Sequence, residues 1–253
     1  MARPDGRPWG GKIGGMTTPA RSQVPVAVVT GASRGIGFEV CRQLAALGYI
    51  VLLGSRDLRK AELAAKELDP DQQRVIGVHI EVDNSVNIDQ LAEWISAAYG
   101  RVDAIVNNAA TAPDLWGIAG TTDLSPVAEA LDVNLFGSWR VCQALLPLLR
   151  SSPRPRIVNV SSDNGSIALM HGGRPAFSVS KAALNALTKL LAGELYRDGI
   201  LVNAVCPGPL SIDSARGGGR SAAQGAASVV WAVTLPNGGP TGTFTRDGRE
   251  LPW

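Results

Sequence analysis

Val26–Gly37, with the sequence VAVVTGASRGIG, is the stretch that decides the fold of this chain. Its first four residues are a short apolar run that is typical of a buried strand. Glycines follow at Gly31, Gly35 and Gly37, and the apolar residues then recur with helical spacing. A glycine turn between a strand and a helix leaves backbone N–H groups free to bind a phosphate. Because a Cβ atom would keep a pyrophosphate away from the backbone, the stretch predicts a dinucleotide site.

Strand and helix patterns alternate along the rest of the chain. Predicted strands lie at Tyr49–Leu53, Val75–Ile80, Asp103–Val106, Arg156–Val160 and Ile200–Val205, with a last edge strand at Thr241–Thr245. Predicted helices lie at Leu58–Leu68, Val86–Tyr99, Leu124–Leu149, Ala176–Tyr196 and Ser221–Leu235. Such alternation is typical of a parallel sheet with helices on both faces. We therefore expect an α/β protein with a Rossmann-type doubly wound sheet, in a single domain over residues 24–253.

The composition narrows the range of partners and compartments. A net charge of +2 over 253 residues does not favour a nucleic-acid partner, and no apolar run is long enough to span a membrane. The three cysteines lack metal-ligand spacing, so we expect reduced thiols, no metal site and a cytoplasmic location. Residues 1–23 predict a flexible tail without a signal peptide. Gly208–Gly225, which contains a run of glycines, is predicted to be a substrate lid.

Polar residues after the predicted second strand bear on the choice of cofactor. In a dinucleotide fold, an acidic residue about 20 positions beyond the glycine turn binds the ribose 2′-hydroxyl. Here Ser55 and Arg56 occupy that place, and a second cation, Arg34, lies inside the glycine turn. Two guanidinium groups near the ribose favour a 2′-phosphate, which a carboxylate would repel. The sequence therefore predicts NADP(H) as the cofactor.

Further motifs complete a pattern that covers nearly all of residues 24–250. They are Thr30–Gly37, Asn107-Asn108-Ala109, Asn134 within VNLFG, Asn159-Val160-Ser161-Ser162, Ser180-Lys181 and Pro207-Gly208. In this order and together, they resemble the short-chain dehydrogenase/reductase family, and most of all its NADPH-dependent carbonyl reductases. The resemblance implies hydride transfer between a nicotinamide and a small organic carbonyl compound. It also makes a homodimer or homotetramer possible.

The same resemblance implies a set of site residues. The implied cofactor contacts are Gly31, Ser33, Arg34, Gly35, Ile36, Gly37, Ser55, Arg56, Glu81, Val82, Asn108, Ala109, Lys181, Pro207, Gly208 and Leu210. The implied catalytic positions are Asn134, Ser162, Phe177 and Lys181. In the family, a tyrosine hydroxyl protonates the carbonyl oxygen, and the lysine lowers the pKa of that hydroxyl and holds the nicotinamide ribose. The serine hydrogen-bonds the substrate oxygen, and the asparagine anchors a water.

Phe177 departs from this pattern because it lies where the family has the tyrosine. Phenylalanine has no proton to give, and general acid catalysis is typically worth ~10²–10⁴-fold. One interpretation is a reductase of a pre-activated acceptor, either a conjugated enone or an iminium ion that the ring face of Phe177 favours. The rival interpretation is a reductase in which His171 moves in from its loop and donates the proton. The alternatives are a non-redox isomerase or cyclase, a silent cofactor-binding protein, and an inactivated Tyr-to-Phe carbonyl reductase.

Overall fold

The structure is a computed structural model that describes residues 24–114, 116–209 and 219–253. Its centre is an eight-stranded sheet in the order β3-β2-β1-β4-β5-β6-β7-β8. The strands are β1 (Val26–Val29), β2 (Ile50–Ser55), β3 (Val75–His79), β4 (Ala104–Asn107), β5 (Arg156–Val160), β6 (Leu201–Val205), β7 (Phe244–Arg246) and β8 (Arg249–Glu250). Within the described residues every pairing is parallel except the last, between β7 and β8. The predicted α/β doubly wound fold is therefore confirmed.

Helices cover both faces of this sheet. They are α1 (Gly35–Ala46), α2 (Leu58–Leu68), α3 (Ser85–Tyr99), α4 (Leu124–Leu131), α5 (Ser138–Arg150), α6 (Pro175–Glu194) and α7 (Ala222–Val233). One apolar core includes Leu145 of α5 and Leu184 of α6. The core on the opposite face includes Leu44 of α1 and Val229 of α7. Because successive side chains of a strand point to opposite faces, each buried parallel strand supplies both cores.

The last strands differ from the sequence prediction. The sequence predicts an edge strand at Thr241–Thr245, but β7 begins only at Phe244 and β8 pairs with it from outside. Asp247 and Gly248 join the two strands with φ angles of 53° and 73°. These positive angles are typical of a tight hairpin turn, which reverses the chain. The prediction is therefore wrong about the edge of the sheet.

The predicted helical region Leu124–Leu149 is not one continuous α-helix. A π-helical segment, Asp132–Gly137, separates α4 from α5. Each π turn contains an additional residue, which shifts the directions of the side chains that follow, and such segments are frequent at functional sites. Asn134, one of the implied catalytic residues, lies inside this segment and is fully buried.

The predicted lid overlaps a regular helix at its carboxyl end. Ser221 caps α7, because its hydroxyl accepts a hydrogen bond from the backbone N–H of Gln224 at 3.2 Å. The side chain of Gln224 accepts in return from the backbone N–H of Ser221 at 2.9 Å. Residues 222–225 therefore belong to α7, whereas positions 210–218 of the lid and the whole tail 1–23 lie outside the described residues. Within the described ranges, no helix is long and apolar enough to cross a membrane.

Thr30 ties the end of β1 to the loop after β4. Its side-chain oxygen accepts hydrogen bonds from the backbone N–H groups of Asn108 and Ala109, both at 3.0 Å. The side-chain amide of Asn108 donates in return to the carbonyl oxygens of Thr30 and Gly31, both at 2.9 Å. Thr30 is buried, so these bonds hold two loops together at the carboxyl edge of the sheet.

We predict that Thr30→Val lowers the free energy of unfolding. Valine matches the shape of threonine but leaves two backbone N–H groups without an acceptor, which costs about 1–3 kcal/mol for each buried group. Urea denaturation measures the change. Thr30→Ser retains the hydroxyl and is the control, which should stay closer to wild type. If Thr30→Val is as stable as wild type, or loses no more stability than Thr30→Ser, the hydrogen bonds do not stabilise the junction.

Candidate functional site

The glycine turn forms an open cradle at the carboxyl end of β1. Gly31 has a φ of +61°, and a Cβ atom there would lie 2.7 Å from the Cα atom of Ala109. A Cβ atom on Gly37 would lie 2.5 Å from the side-chain nitrogen of Asn108. Gly35 differs, because it has a φ of +63° and no heavy atom lies within 4 Å of its ideal Cβ position. Close packing at two glycines thus shapes the turn, and the third leaves space beside the backbone.

The start of helix α1 has no side-chain cap. Arg34 is its N-cap residue and makes no capping hydrogen bond, and the first turn contains no acidic side chain. The first N–H groups of a helix lack intrahelical partners, so here they are available to a ligand. Ser33 precedes Arg34 in the turn, and Ile36 lies in the first turn of α1. The residues present therefore fit the pyrophosphate of a dinucleotide.

Two arginines lie near the cradle with exposed side chains. Arg34 and Arg56 form no ion pair with another described residue. Ser55 is buried at the end of β2, and its hydroxyl accepts a hydrogen bond from the backbone N–H of Asp57 at 3.2 Å. The carboxylate of Asp57 in turn caps α2. Arg34 and Arg56 are unpaired within the described residues, and the carboxylate of Asp57 is bound to the start of α2. The charge beside the cradle is therefore positive.

Glu81 and Val82 follow β3 at the next part of the sheet edge. The carboxylate of Glu81 accepts a hydrogen bond from the side-chain amide of Asn84 at 3.1 Å. Val82 is buried, and a Cβ atom on Gly137 would lie 2.7 Å from its Cγ2 atom. The π-helical segment therefore packs directly on the residue that the family resemblance assigns to the cofactor.

Pro207 and Gly208 follow β6 at the opposite side of the cradle. Gly208 has a φ of +81°, and a Cβ atom there would lie 2.7 Å from the Cδ atom of Arg220. Arg220 binds the carboxylate of Asp247 through two hydrogen bonds of 2.7 Å. This double contact fixes the chain at the carboxyl side of the predicted lid. Leu210, the remaining implied cofactor contact, lies outside the described residues.

Lys181 lies on α6 with its ammonium group at the end of β5. Its Nζ atom donates a hydrogen bond to the carbonyl oxygen of Val160 at 2.7 Å. The side chain is buried, and this burial lowers the pKa of Lys181 to about 8, a shift that Cys206 opposes. A Cβ atom on Gly165 would lie 2.8 Å from the backbone of Lys181, so the turn after β5 packs tightly on α6.

Ser162 starts that turn and is held by its neighbours. Its hydroxyl donates to the carboxylate of Asp163 at 3.1 Å and accepts from the backbone N–H of Asn164 at 3.2 Å. The other carboxylate oxygen of Asp163 pairs with Arg246 at 2.9 Å. Arg246 also contacts the sulfur of Cys206 at 2.9 Å. Ser162 is thus connected through Asp163 to the residues after β6 and to β7.

Phe177 lies one helical turn before Lys181 on α6. The Lys181 ammonium is 5.7 Å from the centroid of the Phe177 ring, and the guanidinium carbon of Arg174 is 4.8 Å from it. Asp114 accepts hydrogen bonds from the backbone N–H groups of Ala176 and Phe177, at 2.5 and 3.3 Å. The carboxylate of Asp114 thereby caps the helix that carries Phe177 and Lys181.

Asn134 connects the π-helical segment to α6. Its side-chain amide donates to the hydroxyl of Ser180 and to the carbonyl oxygen of Thr111, both at 2.9 Å. Its side-chain oxygen accepts from the backbone N–H of Thr111 at 2.8 Å. Ser180 donates onward to the carbonyl oxygen of Phe177 at 2.8 Å. The side chain of Asn134 thus fixes the position of α6 next to the predicted catalytic centre.

Sequence reasoning missed several of the residues in this arrangement. Asp114 and Arg174 lie in loops without a motif. Pro175, at the first position of α6, is a local signal that a helix starts there. Asp163 directly follows Ser162 in the sequence, and this position was the signal that could have identified it. His171, the alternative proton donor, is exposed and makes no hydrogen bond with a described residue.

Known proteins are similar to this chain in sequence. Residues 25–219 match the family described as short chain dehydrogenase. The chain is 31% identical to (-)-isopiperitenone reductase of Mentha piperita, over 89% of this chain and 97% of the relative. It is 30% identical to carbonyl reductase (NADPH) 1 of Mus musculus, over 92% of this chain and 99% of the relative.

A solved structure has the same fold. The RhlG/NADP active-site complex of Pseudomonas aeruginosa superposes with a TM-score of 0.78 at 26% identity, over 90% of this chain and 97% of that chain. The family match spans residues 25–219, which include the glycine turn and the buried Lys181. This protein belongs to the short-chain dehydrogenase family.

Proposed function

We propose that the protein is an NADP(H)-dependent reductase whose acceptor needs no acid from the enzyme during hydride transfer. The observation that supports this most directly is Phe177, whose ring lies 5.7 Å from the Lys181 ammonium and carries no hydroxyl. A simple ketone develops negative charge on oxygen as it is reduced, and that charge must be protonated or stabilised. A pre-activated acceptor does not require protonation in the same step.

The residues of the cradle support NADP(H) as the cofactor. The glycine turn and the uncapped N-terminus of α1 fit the pyrophosphate, and Arg34 and Arg56 fit a 2′-phosphate. The similarity to an NADPH carbonyl reductase and to an NADP complex supports the same choice. When bound, such a cofactor supplies the hydride. The chain itself orients the reactants and stabilises charge.

The residues around the acceptor have separate tasks in this proposal. Lys181 places a positive charge at the end of β5, where its bond to Val160 fixes the ammonium. Ser162 offers a hydroxyl whose orientation Asp163 and Asn164 set. His171 is exposed in its loop and makes no hydrogen bond with the described residues, which supports water as the source of the proton that completes the product. The similarity to (-)-isopiperitenone reductase supports an enone as the acceptor class.

We predict that Arg56→Ala weakens NADPH binding by about tenfold or more, because hydrogen bonds to charged groups contribute ~1.5–3 kcal/mol. NADH lacks the 2′-phosphate, so its dissociation constant should not change. Fluorescence titration of wild type and variant with both cofactors measures the effect. The matched control is Arg59→Ala, which removes an exposed arginine that lies three residues further along, in α2. Equal weakening of both cofactors would contradict the assignment of Arg56.

We predict that Phe177→Tyr creates or raises ketone reductase activity by about 10²-fold or more. Lys181 lies one helical turn away and would lower the pKa of the new phenol. The measurement is NADPH-dependent turnover of an activated ketone. Phe136→Tyr adds a hydroxyl to a phenylalanine that is 45% exposed, and it should have no effect. If Phe177→Tyr is no faster than wild type, the remaining groups do not support ketone reduction.

A further inference from the structure

Two protein cations lie close to the ring of Phe177. The guanidinium carbon of Arg174 is 4.8 Å from the ring centroid, and the Nζ atom of Lys181 is 5.7 Å from it. Both distances are within the range over which a ring attracts a cation. Because the ring already has these two partners, a cationic acceptor beside it would meet repulsion from both. This geometry therefore argues against the hypothesis that the ring of Phe177 favours an iminium ion as the acceptor.

Arg174 has two unusual properties at this position. Its backbone has φ and ψ angles of 52° and 48°, in the left-handed region that few residues other than glycine adopt. Such conformations also occur in turns, as at Asp247, but they cluster at ligand and active sites. Its Nε atom is buried and has no hydrogen-bond partner among the described residues. A buried N–H group without a partner is rare in folded proteins, and a ligand is one explanation for it.

Lys181 also retains hydrogen-bonding capacity. An ammonium group has three N–H donors, and one of them binds the carbonyl oxygen of Val160. Within the described residues Lys181 makes no other hydrogen bond and no ion pair. The remaining donors are therefore available to a ligand. The family resemblance assigns them to the cofactor, so Lys181 acts on the substrate through its positive charge.

The carboxylates near these cations are engaged elsewhere. Both oxygens of Asp114 accept hydrogen bonds from backbone N–H groups at the start of α6. One oxygen of Asp163 binds the hydroxyl of Ser162, and the other pairs with Arg246. Neither carboxylate forms an ion pair with Arg174 or Lys181 within the described residues. The positive charge beside Phe177 is thus not neutralised by direct pairing.

We propose that Arg174 and Lys181 form an oxyanion site and that the acceptor is a conjugated enone. The inference rests on the proposed reductase function and selects one of its two acceptor classes. Hydride forms a C–H bond at the β-carbon, the C=C π bond breaks, and its electron pair moves to give an enolate with the charge on oxygen. The two cations stabilise this charge, and water then donates a proton to the α-carbon.

Binding of para-nitrophenol tests the oxyanion site without any turnover. The bound phenol should ionise at a lower pH than in water, because nearby cations favour the charged form. Absorbance of the phenolate during a pH titration reports this shift. Arg174→Asn should reduce the shift, since asparagine tolerates the left-handed backbone but carries no charge. Gln72→Asn, at another left-handed position with a φ of 50°, is the matched control and should bind like wild type.

Turnover with two acceptors tests the substrate class. We expect wild type to reduce cyclohexenone and not an N-methyl dihydroisoquinolinium salt. Arg174→Asn should slow enone reduction by about 10²-fold, the usual loss for one donor to an oxyanion. Faster reduction of the iminium salt, or an unchanged nitrophenol shift in Arg174→Asn, would overturn the inference while leaving the reductase function intact. A normal nitrophenol shift without reduction of any acceptor would support the oxyanion site and contradict the reductase function.

Discussion

The parallel pairing of the central strands is the constraint on which the site depends. β1 pairs with β4, β4 with β5 and β5 with β6, all in the same direction. The carboxyl ends of these strands therefore meet at one edge, and distant parts of the chain come together there. Thr30, Asn108, Ser162 and Pro207 each follow one of these strands. The hydroxyl of Thr30 then joins two of the loops through direct hydrogen bonds.

Much of this arrangement was predictable because it depends on local pattern. The apolar run before the glycine turn and the alternation of strands with helices specify the doubly wound sheet. The hairpin of β7 and β8 was missed because a two-residue strand such as Arg249–Glu250 shows no periodicity. The Asp247-Gly248 pair was the available signal for that turn. The π-helical segment was missed because apolar residues continue through it with nearly helical spacing.

The charge distribution of the site was not predictable in the same way. The sequence shows that the residue at position 177 lacks a hydroxyl, but it does not show which cations lie beside the ring. The position of Arg174 depends on a left-handed backbone and on the capping of α6 by Asp114, which comes from a distant loop. Tertiary contacts of this kind leave no periodic trace in the sequence. In our proposal, these contacts favour an enone, which is reduced through an anionic enolate, over a cationic iminium acceptor.

The position of hydride delivery tests the account most directly. The measurement uses NADPH that carries deuterium at the transferable position, with cyclohexenone as the acceptor and NMR of the product. Because Phe177 gives no proton to the carbonyl oxygen and cations stabilise an enolate, the account predicts deuterium on the β-carbon of the saturated ketone. Deuterium on the carbinol carbon of an unsaturated alcohol would contradict it, since that product requires an acid at the carbonyl oxygen.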